Sequence, residues 1–182
     1  MASILVVYAT VDGQAGRIGE RIGAVLRRAG HVIDVRPVAA TTIAHVAEAE
    51  GVIVGGAIRY GHYPTALEAF VRDNRDSIAA RPNAFYSVCL SAGGPGAKPA
   101  TALGYVDEFI TRTGWQPGRI ASFAGALLYT RYSPFIRFMM RVIVGMAGGD
   151  TDTSRDYEYT DWGAVERFAA EFEMPLRTPR AA

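Results

Sequence analysis

The chain has 182 residues, which predicts a single domain large enough to bury a full hydrophobic core. Hydrophobic residues make up 49% and charged residues 20%, and the formal net charge of +1 excludes the strongly acidic surface of a dedicated electron carrier and gives no support to nucleic-acid binding. The one cysteine, Cys89, excludes a disulfide framework and a cysteine-rich metal centre.

The chain enters an apolar strand pattern almost at once, with neither a basic segment nor a long apolar segment before it. We therefore expect no signal peptide. No run of about 18 apolar residues occurs, so we expect no membrane-spanning helix. The sequence predicts a cytoplasmic protein and leaves open a contact with the inner face of the cell membrane.

Strand-like and helix-like patterns alternate along the chain. The continuous apolar run at 4–8 is typical of a central parallel strand that is buried on both faces. Further strands are predicted at 31–35, near an edge of the sheet, and at 51–55, 85–90 and 119–127. Helices are predicted at 14–29 and 43–50, and apolar residues at helical spacing mark others around 67–78, 103–110 and 165–172.

This alternation predicts an α/β fold, a doubly wound five-stranded parallel sheet with right-handed crossovers and helices on both faces. We expect residues 1–173 to form one domain and residues 174–182, which contain two prolines, to fray. Ligands of such sheets bind at the carboxyl ends of the strands. The loops at that edge are predicted at 10–15, 56–64 and 91–99.

The first of these loops has the features of an anion site. It follows the first strand directly and leads into a helix, whose N-terminal N–H groups attract phosphate. The loop is neither a Walker A motif nor a GxGxxG motif. A short loop with a hydroxyl and a glycine is how flavodoxin-like proteins hold the phosphate of FMN, and it also occurs as an ordinary strand-to-helix turn.

An inserted segment at about 128–160 separates the fifth strand from the last helix, where a plain connection needs only a few residues. Within it, 134–146 begins with proline and has a wide apolar arc beside a strip that carries Arg137 and Arg141. Two interpretations stay open. The helix is an extra core element with its arginines in solvent, or it is an exposed apolar helix with cationic anchors for a membrane or a large apolar substrate.

Several strings in the chain are similar to one known family. They are Ala57-Ile58-Arg59-Tyr60-Gly61-His62-Tyr63, Ala84-Phe85-Tyr86-Ser87-Val88 and Gly148-Gly149-Asp150-Thr151-Asp152-Thr153, together with Asp12-Gly13-Gln14, Gly125-Ala126-Leu127 and Tyr159-Thr160-Asp161-Trp162. With them the chain resembles the bacterial FMN- and quinone-dependent protoporphyrinogen IX dehydrogenases, which are long-chain flavodoxin-like proteins with an insertion in this place. The resemblance implies an oxidoreductase of haem biosynthesis that uses FMN to oxidise protoporphyrinogen IX to protoporphyrin IX and passes the electrons to a respiratory quinone.

The resemblance also assigns roles to the loops. The FMN phosphate is expected at Thr10, Val11, Asp12, Gly13, Gln14 and Ala15, mainly on backbone N–H groups, with Asp12 pointing away or capping the helix. One side of the flavin ring is assigned to Ala57, Ile58, Arg59, Tyr60 and Gly61, with Tyr60 as the stacking residue. The other side is assigned to Ser91, Ala92, Gly93 and Gly94. His62 is the candidate for catalytic proton exchange, against the alternative of a loop histidine bonded to backbone.

Three arginines of the insertion are candidates for the propionates of a tetrapyrrole or for anionic lipid headgroups, against the alternative of solvated charges. They are Arg131, Arg137 and Arg141. The family tends to carry several basic residues after the fourth strand, where this chain has glycines and Lys98. His31 and His45 are expected to be structural, and no metal site is predicted.

Two other functions remain alternatives. One is an NAD(P)H:quinone-type flavin reductase, and the other is a flavodoxin-type electron carrier or FMN-binding module without its own substrate. The near-neutral charge and the apolar insertion argue against the carrier. The sequence does not determine the oligomeric state, and a homodimer is one of the open alternatives.

Overall fold

A computed structural model describes residues 1–177 of the chain. The strands of its central sheet are β1 (Ser3–Ala9), β2 (Val32–Pro37), β3 (Gly51–Ala57), β4 (Asn83–Val88) and β5 (Ile120–Phe123). All neighbouring strands run parallel, in the order β2-β1-β3-β4-β5. The predicted five-stranded parallel α/β fold is confirmed, and β2 is the edge strand that its alternating pattern predicted.

Seven α-helices lie among the described residues: α1 (Gln14–Arg28), α2 (Ile43–Glu48), α3 (Thr65–Asp73), α4 (Arg75–Ala79), α5 (Pro99–Thr113), α6 (Pro134–Met146) and α7 (Trp162–Arg177). Short 3-10 turns occupy Val38–Ala40, Leu90–Ala92 and Tyr129–Arg131. A two-stranded antiparallel ribbon joins β6 (Ala126–Leu127) to β7 (Tyr157–Glu158).

The sheet is covered on both faces because successive residues of its strands point into two separate cores. Ile4 and Val6 of β1 belong to the core under α1 and α7, which includes Ile18 and Phe168. Leu5 of β1 belongs to the opposite core, under α3, α4 and α5. The apolar run that predicted a central strand is therefore explained by burial on both sides.

Four predicted elements differ from the structure. The helix expected around 67–78 is two helices, because the backbone N–H and the side chain of Asn74 both donate to the carbonyl of Phe70 and end the first one. The strand expected at 85–90 ends at Val88, since a 3-10 turn begins at Leu90. The helix α7 continues to Arg177, past the start of the tail predicted at 174–182, and 178–182 lie outside the described residues.

The fifth strand, predicted at 119–127, is also shorter. Only Ile120–Phe123 pairs with β4. The chain then turns away, because the carbonyl of Ala124 accepts a hydrogen bond from the Thr160 hydroxyl at 2.8 Å and that of Gly125 accepts one from the Tyr159 N–H at 3.1 Å. Residues 126–127 pair with β7 instead, so the ribbon closes the base of the insertion.

The insertion has a small core of its own, built on Leu127, Tyr129 and Val144, with partly buried Tyr132 and Met140 against it. The outward face of α6, by contrast, is open to solvent: Phe135 is 71%, Phe138 66% and Met146 85% exposed. One face of α6 thus packs on the insertion's own core through Val144, and the other is exposed and apolar. Its contact with a membrane or a large substrate stays a prediction. No described helix is both long enough and apolar enough to cross a bilayer.

A buried tyrosine depends on a glycine in the middle of the sheet. The Tyr86 side chain on β4 is fully buried and crosses the neighbouring Gly55 of β3, and its hydroxyl donates to the carbonyl of Ala15 at 2.9 Å. A methyl group on Gly55 would overlap the Tyr86 ring. The absence of a side chain at Gly55 therefore lets the Tyr86 side chain cross β3 and reach the start of α1.

We expect Gly55→Ala to destabilise the protein by about 3 kcal/mol or more, because the ring and its backbone hydrogen bond must move. The matched control is Gly104→Ala, which adds the same methyl group inside α5 with no heavy atom within 4 Å. That change should stabilise the protein by roughly 0.5–1 kcal/mol through helix propensity. Urea unfolding of both variants measures the difference. Equal midpoints for Gly55→Ala and the unmodified protein would contradict this account of Tyr86.

Candidate functional site

The loops that follow β1, β3 and β4 meet the insertion at the carboxyl edge of the sheet. Together they enclose a cavity of about 270 Å³. Residues 10–12, 57–61, 88–91 and 125–126 line it, together with Gln14, Tyr105, Tyr132, Ile136, Met140 and Ile143. This is the edge at which the sheet topology predicts a ligand.

The first loop presents the start of α1 to this edge. The N-terminal cap is Gly13, in the left-handed conformation with φ 89°, and no side chain caps the helix. The Gly13 N–H donates to the Thr10 hydroxyl at 3.0 Å, which fixes the loop. The first turn of α1 carries no acidic residue, so its N–H groups form a site that suits an anion.

The Gln14 side chain is directed elsewhere. It is buried, and its amide donates to Glu158 at 3.0 Å and to the Thr160 hydroxyl at 2.7 Å. Arg17 extends this network, since its guanidinium contacts both the Gln14 carbonyl oxygen and Glu158. The Gln14 side chain is thus engaged by other residues, and only its backbone N–H can contact an anion at the start of α1. The side-chain network ties the start of α1 to the end of the insertion.

The second loop is a tight turn. The N–H and carbonyl groups of Arg59 and His62 pair with each other at 3.0 and 3.1 Å. Between them Tyr60 has φ 52°, an uncommon conformation for a residue with a side chain, and its ring is 64% exposed. Ala57 to Gly61 line the cavity as predicted, with Tyr60 among them.

His62 lies at the surface, and its side chain is not among those that line the cavity. Its backbone pairing with Arg59 corresponds to the structural alternative for this residue. The catalytic role of His62 stays a prediction without support from the geometry.

The third loop reaches the cavity through Ser91 alone of its four predicted residues. Its glycines are required by close contacts with other parts of the fold. A Cβ on Gly93 would lie 3.0 Å from that of Ala124, and one on Gly94 would lie 2.7 Å from the Tyr159 ring. Ala92, Gly93 and Gly94 do not line the cavity; Gly93 lies against Ala124, just after β5, and Gly94 lies against Tyr159 of the insertion.

The insertion supplies a wall that the sequence did not assign to the site. Ile136, Met140 and Ile143 of α6 line the cavity, at the spacing of one helix face, and we call them the inner face. Their helical spacing was a usable signal, but which stripe of an almost wholly apolar helix turns inward depends on the path of the chain. Tyr132, which lies before α6, gave no signal in the sequence.

Tyr132 faces the first loop. Burial, first, and the neighbouring Asp12 carboxylate, second, raise the pKa of its phenol. The phenol therefore stays protonated at neutral pH, and its hydroxyl donates a hydrogen bond to the Asp12 carboxylate. Asp12 makes no side-chain cap on α1 and interacts with Tyr132 instead.

The three arginines of the insertion have different surroundings. The Arg137 guanidinium donates to the backbone carbonyls of Tyr129 at 2.8 Å and Tyr132 at 3.3 Å, so it fixes the turn before α6. Arg131 and Arg141 are exposed and do not line the cavity. The structure thus separates Arg137 from the other two.

The predicted structural histidines lie outside the site. The ring of His45 accepts a hydrogen bond from the Thr42 N–H in a capping box at the start of α2. His31 is buried, within 3.4 Å of Glu173, and accepts a hydrogen bond from the Ala2 N–H. Within residues 1–177 we find no cluster of three or more His, Cys, Asp and Glu that could hold a metal ion.

A wider groove, of about 630 Å³, runs along α1 beside Trp162 and reaches Thr10 and Gly13 from the outside. Its two arginines stack on the Trp162 ring and are neutralised, Arg17 by Glu158 at 3.2 Å and Arg21 by Glu166 at 3.3 Å. The groove offers no free charge and no enclosed volume. The smaller cavity is the better candidate site.

Known proteins are similar to this chain in fold and in sequence. Residues 5–154 match the flavodoxin domain family. Protoporphyrinogen IX dehydrogenase (quinone) of Escherichia coli K12 is 37% identical over 167 residues, which is 92% of each chain. The enzyme of that name from Leishmania major is 36% identical over 96% of this chain and 77% of its own.

Oxidised flavodoxin 1 from Bacillus cereus superimposes with a TM-score of 0.58 at 17% identity, over 95% of this chain and 98% of that one, which shows the shared fold. The chain therefore belongs to the flavodoxin domain family and, within it, to the family of the protoporphyrinogen IX dehydrogenases (quinone).

Proposed function

We propose that this protein is an FMN-dependent dehydrogenase that oxidises protoporphyrinogen IX to protoporphyrin IX and passes the electrons to a respiratory quinone. One observation carries the proposal: a single cavity joins the start of α1, the Arg59–Tyr60 loop and the apolar inner face of the insertion. An anion cradle and a wall for large apolar molecules are what FMN, a porphyrinogen and a quinone together require. The relatives of that name support the assignment.

The residues at the start of α1 fit the FMN phosphate. The helix begins at a glycine, has no side-chain cap and carries no acidic residue in its first turn. We assign the phosphate to the backbone N–H groups of 14–15 and to the Thr10 hydroxyl, with Val11, Asp12 and Gly13 completing the loop. Asp12 faces Tyr132, so its charge is turned away from the phosphate.

The flavin ring is assigned to the space between the second and third loops. Ala57 to Gly61 form one side, and the exposed Tyr60 ring, which the Arg59 guanidinium also contacts, is assigned to stack on the flavin. Ser91 contributes to the other side. We do not propose Gly93 or Gly94 as ring contacts because they lie against Ala124 and Tyr159, nor Ala92, which does not line the cavity. Cys89 lies on this wall, and burial raises the pKa of its thiol, so it remains protonated and unreactive.

Bound FMN supplies the redox chemistry, because it can accept hydrogen from the porphyrinogen and pass the electrons on to the quinone. The protein orients the reactants and excludes water. Ile136, Met140 and Ile143 give an apolar surface to both partners. A freely diffusing electron carrier has no need of such a wall, so the carrier alternative is the weaker one.

We also propose that α6 touches the inner face of the cell membrane. Its outward face consists of Phe135, Phe138, Met139, Val142 and Met146, all of them exposed. Arg131 and Arg141 are exposed near this apolar surface and can pair with anionic headgroups. Both reactants of the proposed enzyme are apolar, and a site beside the bilayer gives access to them.

The cradle is tested by Gly13→Asp, which places a carboxylate at the proposed phosphate site. We expect FMN affinity to fall roughly a hundredfold or more through charge repulsion. Gly30→Asp is the matched control, because Gly30 has φ 91° against 89° for Gly13 and both have no heavy atom within 4 Å. Fluorescence titration of FMN measures both. If the two variants bind FMN equally, the phosphate lies elsewhere.

The reaction is tested anaerobically with FMN-loaded protein. Protoporphyrinogen IX should bleach the flavin absorbance promptly, and porphyrin fluorescence should then rise in a sustained way only when a menaquinone analogue is added. A flavin that stays oxidised with protoporphyrinogen but bleaches with NAD(P)H would favour the quinone reductase alternative.

The apolar wall offers a matched pair of adjacent methionines for the same assay. Met140→Gln places an amide on the inner face and should slow bleaching by detergent-solubilised protoporphyrinogen about tenfold, because a buried amide without a partner costs roughly 1–3 kcal/mol. Met139→Gln lies on the outward face and should change the rate little. Equal rates for the two variants would contradict a role of the inner face in substrate binding.

Membrane contact is tested by flotation with vesicles. Arg131→Gln combined with Arg141→Gln should weaken binding to anionic vesicles about thirtyfold, at about 1 kcal/mol for each arginine, without changing binding to neutral ones. Arg28→Gln with Arg72→Gln changes the net charge equally at exposed positions on α1 and α3 and should have little effect. Phe135→Ser with Phe138→Ser should weaken binding to both kinds of vesicle. Unchanged binding by every variant would show that α6 does not face the lipid.

A further inference from the structure

The cavity is almost free of charge. Among the residues of 1–177 that line it, Asp12 and Arg59 are the two with charged side chains, and the rest are apolar or neutral. The Asp12 carboxylate faces the Tyr132 hydroxyl. The positive charge of Arg59 is thus the cavity's one cationic group within that part of the chain.

The Arg59 guanidinium has no carboxylate within ion-pair distance among the described residues. The guanidinium lies over the Tyr60 ring, with 5.2 Å between its carbon and the ring centroid, and its charge also acts on the nearby Tyr132 phenol, whose pKa it lowers. The backbone of Arg59 is already paired with His62 in both directions. What this residue offers the cavity is therefore an uncommitted guanidinium on a backbone that the turn holds in place.

The arginines of the insertion cannot serve the cavity in the same way. Arg137 is committed to backbone carbonyls of the turn before α6. Arg131 and Arg141 are exposed and do not line the cavity. The arginines of the insertion were the sequence-based candidates for binding a substrate carboxylate. Arg59, which the sequence assigned to the cofactor, is better placed for that role.

We propose that the Arg59 guanidinium binds a propionate carboxylate of the tetrapyrrole and so determines which of the two apolar reactants is recognised as the hydrogen donor. This inference rests on the proposed function. A guanidinium pairs with a carboxylate through two parallel hydrogen bonds, whereas a quinone ring has no carboxylate to offer. The inner face of α6 receives the apolar part of either molecule, and Arg59 distinguishes between them.

The test uses the FMN-loaded protein and two probes that differ only at the carboxylates, protoporphyrin IX and its dimethyl ester, in detergent. Porphyrin fluorescence measures the binding of each. Arg59→Gln should weaken binding of the acid about 10- to 100-fold, as expected for the loss of a hydrogen bond to a charged group, and leave the ester unchanged. Arg59→Lys should recover part of the loss because it keeps the charge but not the paired geometry.

Arg72→Gln is the charge-matched control, because Arg72 is an exposed residue of α3 that lies outside the cavity. The Arg72→Gln protein should bind both probes as the unmodified protein does. The two half-reactions give a second readout. Arg59→Gln should raise the protoporphyrinogen concentration needed for flavin bleaching and leave reoxidation by the menaquinone analogue unchanged.

Three results would overturn the assignment. Equal weakening of acid and ester binding would mean that Arg59 acts through the loop and not on a carboxylate. Unchanged binding of the acid by Arg59→Gln, or a loss of acid binding in Arg141→Gln instead, would place the propionate elsewhere. An unmodified protein that binds neither probe and is not bleached by protoporphyrinogen would overturn the proposed function itself, and that outcome differs from the other two.

Discussion

The site depends on one buried amide. Gln14 is the first residue of α1, and its side chain reaches across to Glu158 and Thr160 at the end of the insertion. Thr160 in turn donates to the carbonyl of Ala124, where the chain leaves the sheet. Because a buried amide is costly to leave without partners, these bonds hold the helix start and the insertion in one arrangement. These hydrogen bonds therefore keep the inner face of α6 beside the loops that follow the strands of the sheet.

Much of the fold follows from short-range patterns in the sequence. The run from Ile4 to Val7 is apolar at every position because it is buried on both faces, and the looser alternation of β2 matches its place at the edge. The errors lie where one side chain overrides periodicity. Asn74 divides a helix, and contacts from Tyr159 and Thr160 turn the chain out of the fifth strand, and neither effect can be read from local spacing.

The candidate site was predictable to the extent that it lies on loops after parallel strands. Thr10, Arg59 and Ser91 meet because the carboxyl ends of β1, β3 and β4 share one edge. The glycines of the third loop have a second explanation that the sequence does not reveal, since Gly93 leaves room for Ala124 and Gly94 for the Tyr159 ring. Tyr132 was missed because it becomes part of the site only through the path of the insertion, and the direction of its side chain depends on Arg137 holding the turn before α6.

The antiparallel pairing of Leu127 with Tyr157 has a consequence for how such a protein can change in evolution. The inserted lobe departs and returns at adjacent positions, so replacing or lengthening it does not alter the distance that its ends must span, and the entropy of closing the loop grows only slowly with length. The lobe also carries its own small core on Leu127, Tyr129 and Val144. A phosphate-binding sheet of this design can therefore acquire a new specificity by exchanging one lobe, while the nucleotide-binding half is inherited unchanged.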